Sequence, residues 1–216
     1  MDASLWIAKT GLQAQQTRMS VISNNLANVN TTGFKKDRAV FEDLLYQNVA
    51  PAGGQADAQS ETPTGLMLGT GTRIVATEKL HVQGNIIKTE NALDVSVSGP
   101  GFFAIQQADG TLAYTRDGSF KVSSQGQLVT AGGELLTPAI VIPQNAAGIT
   151  VGRDGIVTVE LANGGGATQV GQIQVTRFIN NSGLSPMGRN LYKESVASGA
   201  PIVGLPGADG AGMLMQ

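Results

Sequence analysis

Cysteine is absent from the 216-residue chain, which excludes disulfides, thiolate metal sites and cysteine nucleophiles. Histidine is nearly absent: His81 stands alone, so neither a multi-histidine metal centre nor a Ser-His-Asp triad with a second histidine in reserve can be built. Charged residues are 14%, well below the usual ~25%. Aromatics are 5%, which leaves few platforms for stacking sugars and weighs against glycoside hydrolysis. A net charge of −2 provides no general attraction to nucleic acid or anionic lipid. No stretch approaches the ~18 apolar residues of a membrane span. Asp2, Lys9 and Gly11 interrupt what would have to be the apolar run of a cleavable signal peptide. The chain is therefore expected to stay in the cytosol or to be exported by a route that cuts no signal. Glycine, at 29 residues, is plentiful and points to a β-rich chain with many turns.

Residues 1–33 differ from all that follows. Leu5, Ala8, Leu12, Gln15, Met19, Ile22, Leu26 and Val29 step alternately by three and four, and seven of these eight are apolar. That is a heptad stripe, predicting a coiled-coil-type helix over about residues 4–29, roughly 39 Å long. Gly33 is the expected stop after an Asn-rich end. So narrow a stripe calls for a partner helix. It is far in sequence from every predicted strand, so the β domain is expected to share no core with the stripe and to be separate from the helix.

Residues 34–72 read as a linker, with mixed, moderately helical character over 34–50. Residues 51–65 contain no large apolar side chain, so the stretch from about 46 to 65 is expected to be a polar excursion, extended or disordered unless a neighbour orders it. From residue 73 onward the pattern is β. Arg73–Glu78 and Asp94–Ser98 alternate. Short runs then follow at Phe102–Ile105, Thr111–Arg116, Ser119–Val122, Gln127–Thr130, Ile140–Ile142, Ile149–Val151, Ile156–Glu160 and Gln172–Phe178. Asp109-Gly110, Asp117-Gly118, Gln125-Gly126, Asp154-Gly155 and Gly164-Gly165-Gly166 punctuate them as turns. The Gly/Pro-rich tail, 195–216, shows no element. The expected fold is mainly β: an N-terminal helix (1–33), a linker (34–72) and an all-β domain of short strands and hairpins (73–216).

Chemistry is scarce. His81, between Leu80 and Val82, reads as structural. Gly69-Thr70-Gly71 lacks the third glycine of a dinucleotide loop, since Ile74 stands there. The Arg-Asp-Gly triplets at 116–118 and 153–155 read as turns in which the Asp side chain bonds the backbone. No calcium ladder occurs. Lys35, Lys36 and Arg38 read as a solvated basic run. No catalytic residue, cofactor or metal is expected.

The residues then add up to a family. Asn24-Asn25-Leu26-Ala27-Asn28-Val29-Asn30-Thr31-Thr32-Gly33-Phe34-Lys35 resembles the signature of bacterial flagellar rod and hook proteins. Leu93 through Phe103, Tyr114 through Phe120 with Gly126 through Thr130, and Gly188-Arg189-Asn190-Leu191-Tyr192 with Ser198-Gly199-Ala200-Pro201 resemble its later blocks, in order. Trp6 and the insert after Leu44-Leu45-Tyr46-Gln47 look like the distal-rod members in particular. The signature residues are Asn25, Leu26, Ala27, Asn28, Gly33, Phe34 and Lys35.

The resemblance implies a non-enzymatic subunit of the distal rod that self-assembles into a rigid helical tube carrying torque to the hook. It implies type III export without signal cleavage and a place in the periplasm-spanning basal body. The partners implied are further copies of itself, proximal rod proteins, the hook protein, the P and L rings and the rod cap, with no nucleic acid and no direct membrane insertion. Leu5, Leu12, Met19, Ile22, Leu26 and Val29 are the expected assembly interface. Family members continue beyond a segment like Gly212–Gln216 into a helix that pairs with the N-terminal one, and here that partner is expected to be missing. The nearer alternative is a hook or proximal-rod protein of the same family. The farther one is an extracellular β-rich adhesin or wall-binding module, for which exposed aromatic platforms or repeats should appear and do not.

Overall fold

The computed structural model describes residues 3–53, 55–57, 60–61, 63–162, 166–208 and 210–216. The chain is mainly β, with one N-terminal α-helix. It divides into two compact units, Met1–Asn30 with Lys36–Leu80, and Thr31–Lys35 with His81–Gln216.

The first unit contains α1 (Ala3–Ala27), β1 (Asp37–Asp43), β2 (Tyr46–Ala50), β3 (Gln55–Asp57), β4 (Ser60–Glu61), β5 (Leu66–Gly69) and β6 (Thr72–Lys79). α1 ends where the Asn28 side chain donates to the Asn24 carbonyl at 2.9 Å, satisfying one of the acceptors that a helix end leaves open. β1 and β6 form an antiparallel ribbon bulged at Val40/Phe41. Its register places Asp37 opposite Lys79, Arg38 opposite Glu78 and Glu42 opposite Arg73. All three pairs close ion pairs, at 2.9, 2.5 and 2.9 Å. Opposite charges directly across a ladder favour this register over a slipped one.

The helical character expected over 34–50 is therefore wrong. Those residues are β1 and β2, whose partners β6 and β5 lie well downstream in the chain and outweigh local propensity. The excursion is also more structured than its composition implied. β2 pairs with β5 from Tyr46↔Gly69 to Ala50↔Leu66, and β3 pairs with β4 beyond them. Gly54, Ala58, Gln59 and Thr62, parts of the excursion, lie outside the described residues.

α1 is not isolated from the strands. It packs on β1 and β6. Ala14 is its buried residue, and Thr10, Gly11, Thr17, Val21 and Asn25 flank it on the same half-buried face. The Asn25 side chain brackets Asp37, donating to its carbonyl and accepting from its N–H, both at 2.9 Å. Gly71, at φ +118°, passes so close to Thr10 that a Cβ there would collide with its hydroxyl. The expected division of helix from strands fails because small and polar residues, on the face away from the stripe, make this contact. They leave no hydrophobic period to read.

The second unit carries the remaining strands: β7 (Ser96–Ser98), β8 (Phe103–Gln106), β9 (Leu112–Thr115), β10 (Lys121–Val122), β11 (Leu128–Val129), β12 (Leu135–Thr137), β13 (Ala146–Val151), β14 (Ile156–Leu161), β15 (Ala167–Gln172), β16 (Val175–Arg177), β17 (Ser185–Gly188), β18 (Leu191–Lys193), β19 (Ile202–Gly204) and β20 (Met213–Met215). The seven-stranded sheet runs β10-β11-β12-β8-β9-β18-β17, and β13-β14-β15 form a meander. Adjacent Phe102 and Phe103 face opposite ways, as the pleat requires. Phe103 packs with Phe120, Leu136, Val157, Val159 and Ile173 in the main core, and Phe102 with Tyr114, Phe178 and Tyr192 in a second one.

Asp109, Asp117 and Asp154 each accept, through a side-chain oxygen, from the backbone N–H two residues on, at 2.9, 3.1 and 3.2 Å, as the turn reading anticipated. The Gly164-Gly165-Gly166 turn falls largely outside the described residues, with only Gly166 seen, at φ +73°. Ile140–Ile142 forms a single bridge rather than a strand, although Ile140 and Ile142 are buried. Gln172–Phe178 breaks in two around buried Ile173. The tail, expected to be featureless, supplies β19 and β20, and Leu214 is buried in the main core opposite Val97.

Candidate assembly interface

Positions 5, 12, 19, 26 and positions 10, 14, 17, 21 occupy opposite sides of α1, because a two-residue offset is about 200° around a helix. Packing the small-residue side against β1 and β6 leaves the apolar stripe outside. Leu12 is 73% exposed, Leu26 70% and Val29 71%. Leu5, Met19 and Ile22 are exposed beside them. Trp6 is also exposed, with the Lys9 ammonium 5.1 Å from its ring centroid. A row of large apolar side chains along one helix face is more than a lone subunit ordinarily shows.

The signature residues do not gather into one site. Asn25 and Asn28 secure the end of α1, whereas Leu26 and Ala27 are exposed. Gly33, Phe34 and Lys35 belong to the second unit. Gly33 sits at φ +74°, and a Cβ on it would lie 2.8 Å from the Asp117 nitrogen. Thr31 to Phe34 is a closed turn, Phe34 N–H donating to the Thr31 carbonyl at 3.2 Å. Lys35 is no solvated cation. It is 8% exposed, and its Nζ donates to the Val82 carbonyl at 2.7 Å.

Burial lowers the Lys35 pKa, and the nearby Arg116 guanidinium lowers it further. Arg116 is itself held by the Val97 and Gly99 carbonyls at 3.0 and 2.6 Å. The unfolded chain keeps Lys35 protonated up to about 10.5, while the folded chain releases that proton earlier. The stability tied to Lys35 is thus complete above 10.5 and is lost as pH falls through the lowered folded value. Tyr114 works in the opposite sense, its pKa raised by burial and by Glu194, but it is common to parent and variant. The unfolding free energy of the parent minus that of Lys35→Met should therefore rise with pH just below 10.5. Denaturant titrations across that range give this difference directly, and a flat line would contradict the assignment.

Among the described residues, no group of three or more His, Cys, Asp or Glu side chains is placed to hold a metal ion. His81 lies edge-on to the rings of Phe102 and Tyr192, at 5.6 and 5.8 Å between centroids, inside the second aromatic core.

Two family models match the chain: flagella basal body rod protein over residues 5–35, and flagellar hook protein FlgE/F/G D1 domain over residues 96–159. The flagellar basal-body rod protein FlgG of Buchnera aphidicola subsp. Schizaphis graminum is 52% identical over 216 residues, which is all of this chain and 83% of that relative. The chain belongs to the FlgG family of flagellar basal-body rod proteins. The FlgG of Borreliella burgdorferi is 46% identical over 218 residues, covering all of this chain and 82% of the relative. The flagellar hook protein FlgE of the same organism is 42% identical over only 129 residues, 60% of this chain and 29% of that protein. FlgG-family membership makes the chain a structural subunit of the flagellar rod. The rod-protein match ends at Lys35, so it joins α1 to the short loop embedded in the second unit.

Sequence reasoning missed the inner face of α1, although Thr10, Ala14, Thr17, Val21 and Asn25 also recur by three and four. The signal was present in spacing but not in hydrophobicity.

Proposed function

We propose that this chain builds the distal part of the flagellar rod, a rigid helical tube that carries torque through the cell envelope to the hook. The outward stripe of Leu5, Leu12, Met19, Ile22, Leu26 and Val29 carries this reading. In the assembled rod these side chains bury against partner helices, and heterologous contacts that do not close on themselves extend into a helical polymer. The subunit works mechanically, without catalysis, cofactor or metal. It travels through the flagellar type III channel with no signal cleaved, a route suited to a chain without disulfides. Its neighbours are copies of itself, the proximal rod proteins, the hook protein, the rod cap and the surrounding P and L rings.

The β2–β5 ribbon supports a stiffening role. Tyr46, Val49, Leu66, Met67 and Leu68 are exposed on it, and a two-stranded ribbon is marginal in water until a neighbour covers it. Deleting residues 51–64 removes the far end of the ribbon and joins Ala50 to Gly65. Loop-closure entropy changes slowly with length, so the subunit should fold as before. Electron microscopy of tubes from parent and deleted chains, both restored with the C-terminal helix that the resemblance implies, is expected to show straight parent tubes and curved or more flexible deletion tubes. Equal stiffness would remove the ribbon from the mechanics. Failure of both to polymerise would remove self-assembly through the stripe.

A further inference from the structure

Gly11 has no explanation inside the subunit. It stands mid-helix in α1, where glycine costs stability relative to alanine, and it is not among the glycines at positive φ. A Cβ added to it would meet nothing within 4 Å. Gly71 makes the contrast, since Thr10 leaves no room for a Cβ there. Gly11 lines a notch of about 180 Å³, together with Ala14, Gln15, Arg18, Phe41 and Thr72. All six residues belong to the first unit. Ala14 is buried, Phe41 and Thr72 are half-buried, and Gln15 and Arg18 are exposed.

The charge beside the notch is of one sign. From Ala3 to Lys36 the sequence holds four cations, Lys9, Arg18, Lys35 and Lys36, and no Asp or Glu. On α1 the charged residues are Lys9 and Arg18 alone. Gly11 and Arg18 are seven positions apart, so they share one flank of the apolar stripe, and Lys9 lies on the other. Lys9 is engaged with the Trp6 ring, whereas Arg18 makes no ion pair or hydrogen bond among the described residues. The neighbouring ribbon does not neutralise it. Asp37, Glu42 and Glu78 pair with Lys79, Arg73 and Arg38, and exposed Asp43, opposite Thr72 in the register, forms no pair with Arg18. A second copy of α1 is a poor occupant, because it would bring its own Lys9 and Arg18 and no anion.

We propose that the Gly11–Arg18 notch is a socket for a carboxylate-bearing side chain on an acidic amphipathic helix of a neighbouring rod component. The proposal rests on the reading of the chain as an assembling rod subunit. The stripe covers the apolar face of the incoming helix, and its acid enters the notch at Arg18. The guanidinium offers a planar fork of N–H donors that matches a carboxylate through two parallel bonds. Gly11 removes the side chain that would otherwise hold the two helices apart, since the distance between packed helices is set by the side chains at the contact. The residue that weakens the isolated helix thus strengthens the assembled one.

The test uses the full chain and two fluorescein-labelled helical peptides of three heptads each, with Leu at a and d and either Glu or Lys at e and g. Fluorescence anisotropy should show the Glu peptide binding about tenfold more tightly than the Lys peptide, with the difference shrinking as salt rises. Arg18→Gln should weaken the Glu peptide about threefold, the loss of one exposed ion pair. Gly11→Leu should weaken it about tenfold by filling the notch. Gly11→Ala separates this role from a structural one. Its melting point should rise by about 2–4 °C, because helix propensity improves and nothing is displaced, while the Glu peptide binds less tightly than to the parent. A lowered melting point overturns the socket, because the space would then serve the subunit's own packing. Equal affinity for the two peptides, or binding of neither, overturns the acidic partner. Glu-peptide binding unchanged in both Arg18→Gln and Gly11→Leu overturns the notch as its seat. Failure of the self-assembly reading looks different: the parent chain would form no tubes while the peptide results stood.

Discussion

Leu12→Asp and Leu26→Asp should each abolish rod assembly while leaving the monomer folded. Both side chains are about seven-tenths exposed in the subunit, so their loss removes little packing there, and the monomer should shift by under about 0.5 kcal/mol for Leu12→Asp. Leu26 lies in the last turn of α1, where a carboxylate also meets the negative end of the helix dipole, adding roughly 0.3–1 kcal/mol. In the polymer the same carboxylate would be taken out of water against a partner helix with no cation to meet it. An uncompensated charge in such a place costs about 3 kcal/mol or more, upward of a hundredfold in each association constant. Sedimentation and electron microscopy report assembly, and thermal unfolding reports the subunit. A melting point that falls sharply in both variants would mean that the stripe packs within the chain. Normal tubes would mean that it faces solvent in the rod as well.

Gly118→Ala should be among the most damaging single changes in the β unit. Gly118 follows Asp117 in what reads as an ordinary hairpin turn, where glycine would be wanted for a positive φ. Gly118 has no such φ. A Cβ there would instead fall on the Val95 carbonyl, 2.8 Å from its carbon and 3.1 Å from the Phe103 ring. The Gly118 carbonyl accepts from Val95 N–H at 3.0 Å, so the two backbones cannot separate without losing that bond. Phe103 is fully buried and cannot yield either. Overpacking against backbone at such a point should cost about 3 kcal/mol. Gly110→Ala is the natural comparison. Gly110 has φ +82° and nothing within 4 Å of the added methyl, so only the left-handed backbone is charged, about 1 kcal/mol. Denaturant unfolding of the pair separates the two mechanisms, and equal losses would refute the close approach at Gly118.

The sequence by itself determined the features whose physical cause is local. The stripe from Leu5 to Val29 was readable because a helix repeats every 3.6 residues. The helix came out as Ala3–Ala27, close to the expected 4–29. The hairpin strands were readable from alternation between Asp-Gly turns, and three of the turn aspartates do bond the backbone two residues on. The ordered signature blocks made the family legible.

The tertiary structure decided what depends on partners remote in the chain. Residues 37–43 are a strand because residues 72–79 pair with them, and no local propensity contains that information. Lys35 sits in a basic run that reads as solvated, yet it is buried because the Val82 carbonyl, 47 positions away, receives its ammonium. Asn190 reaches Thr32 across 158 positions. The inner face of α1 was hidden for a different reason. Alanine, threonine and asparagine pack a helix closely against a ribbon without contributing hydrophobic area, so a reading based on hydrophobic period finds only the outer face. That outer face is the one the subunit leaves uncovered, which is why the sequence showed the apolar stripe more plainly than the helix's own seat in the fold.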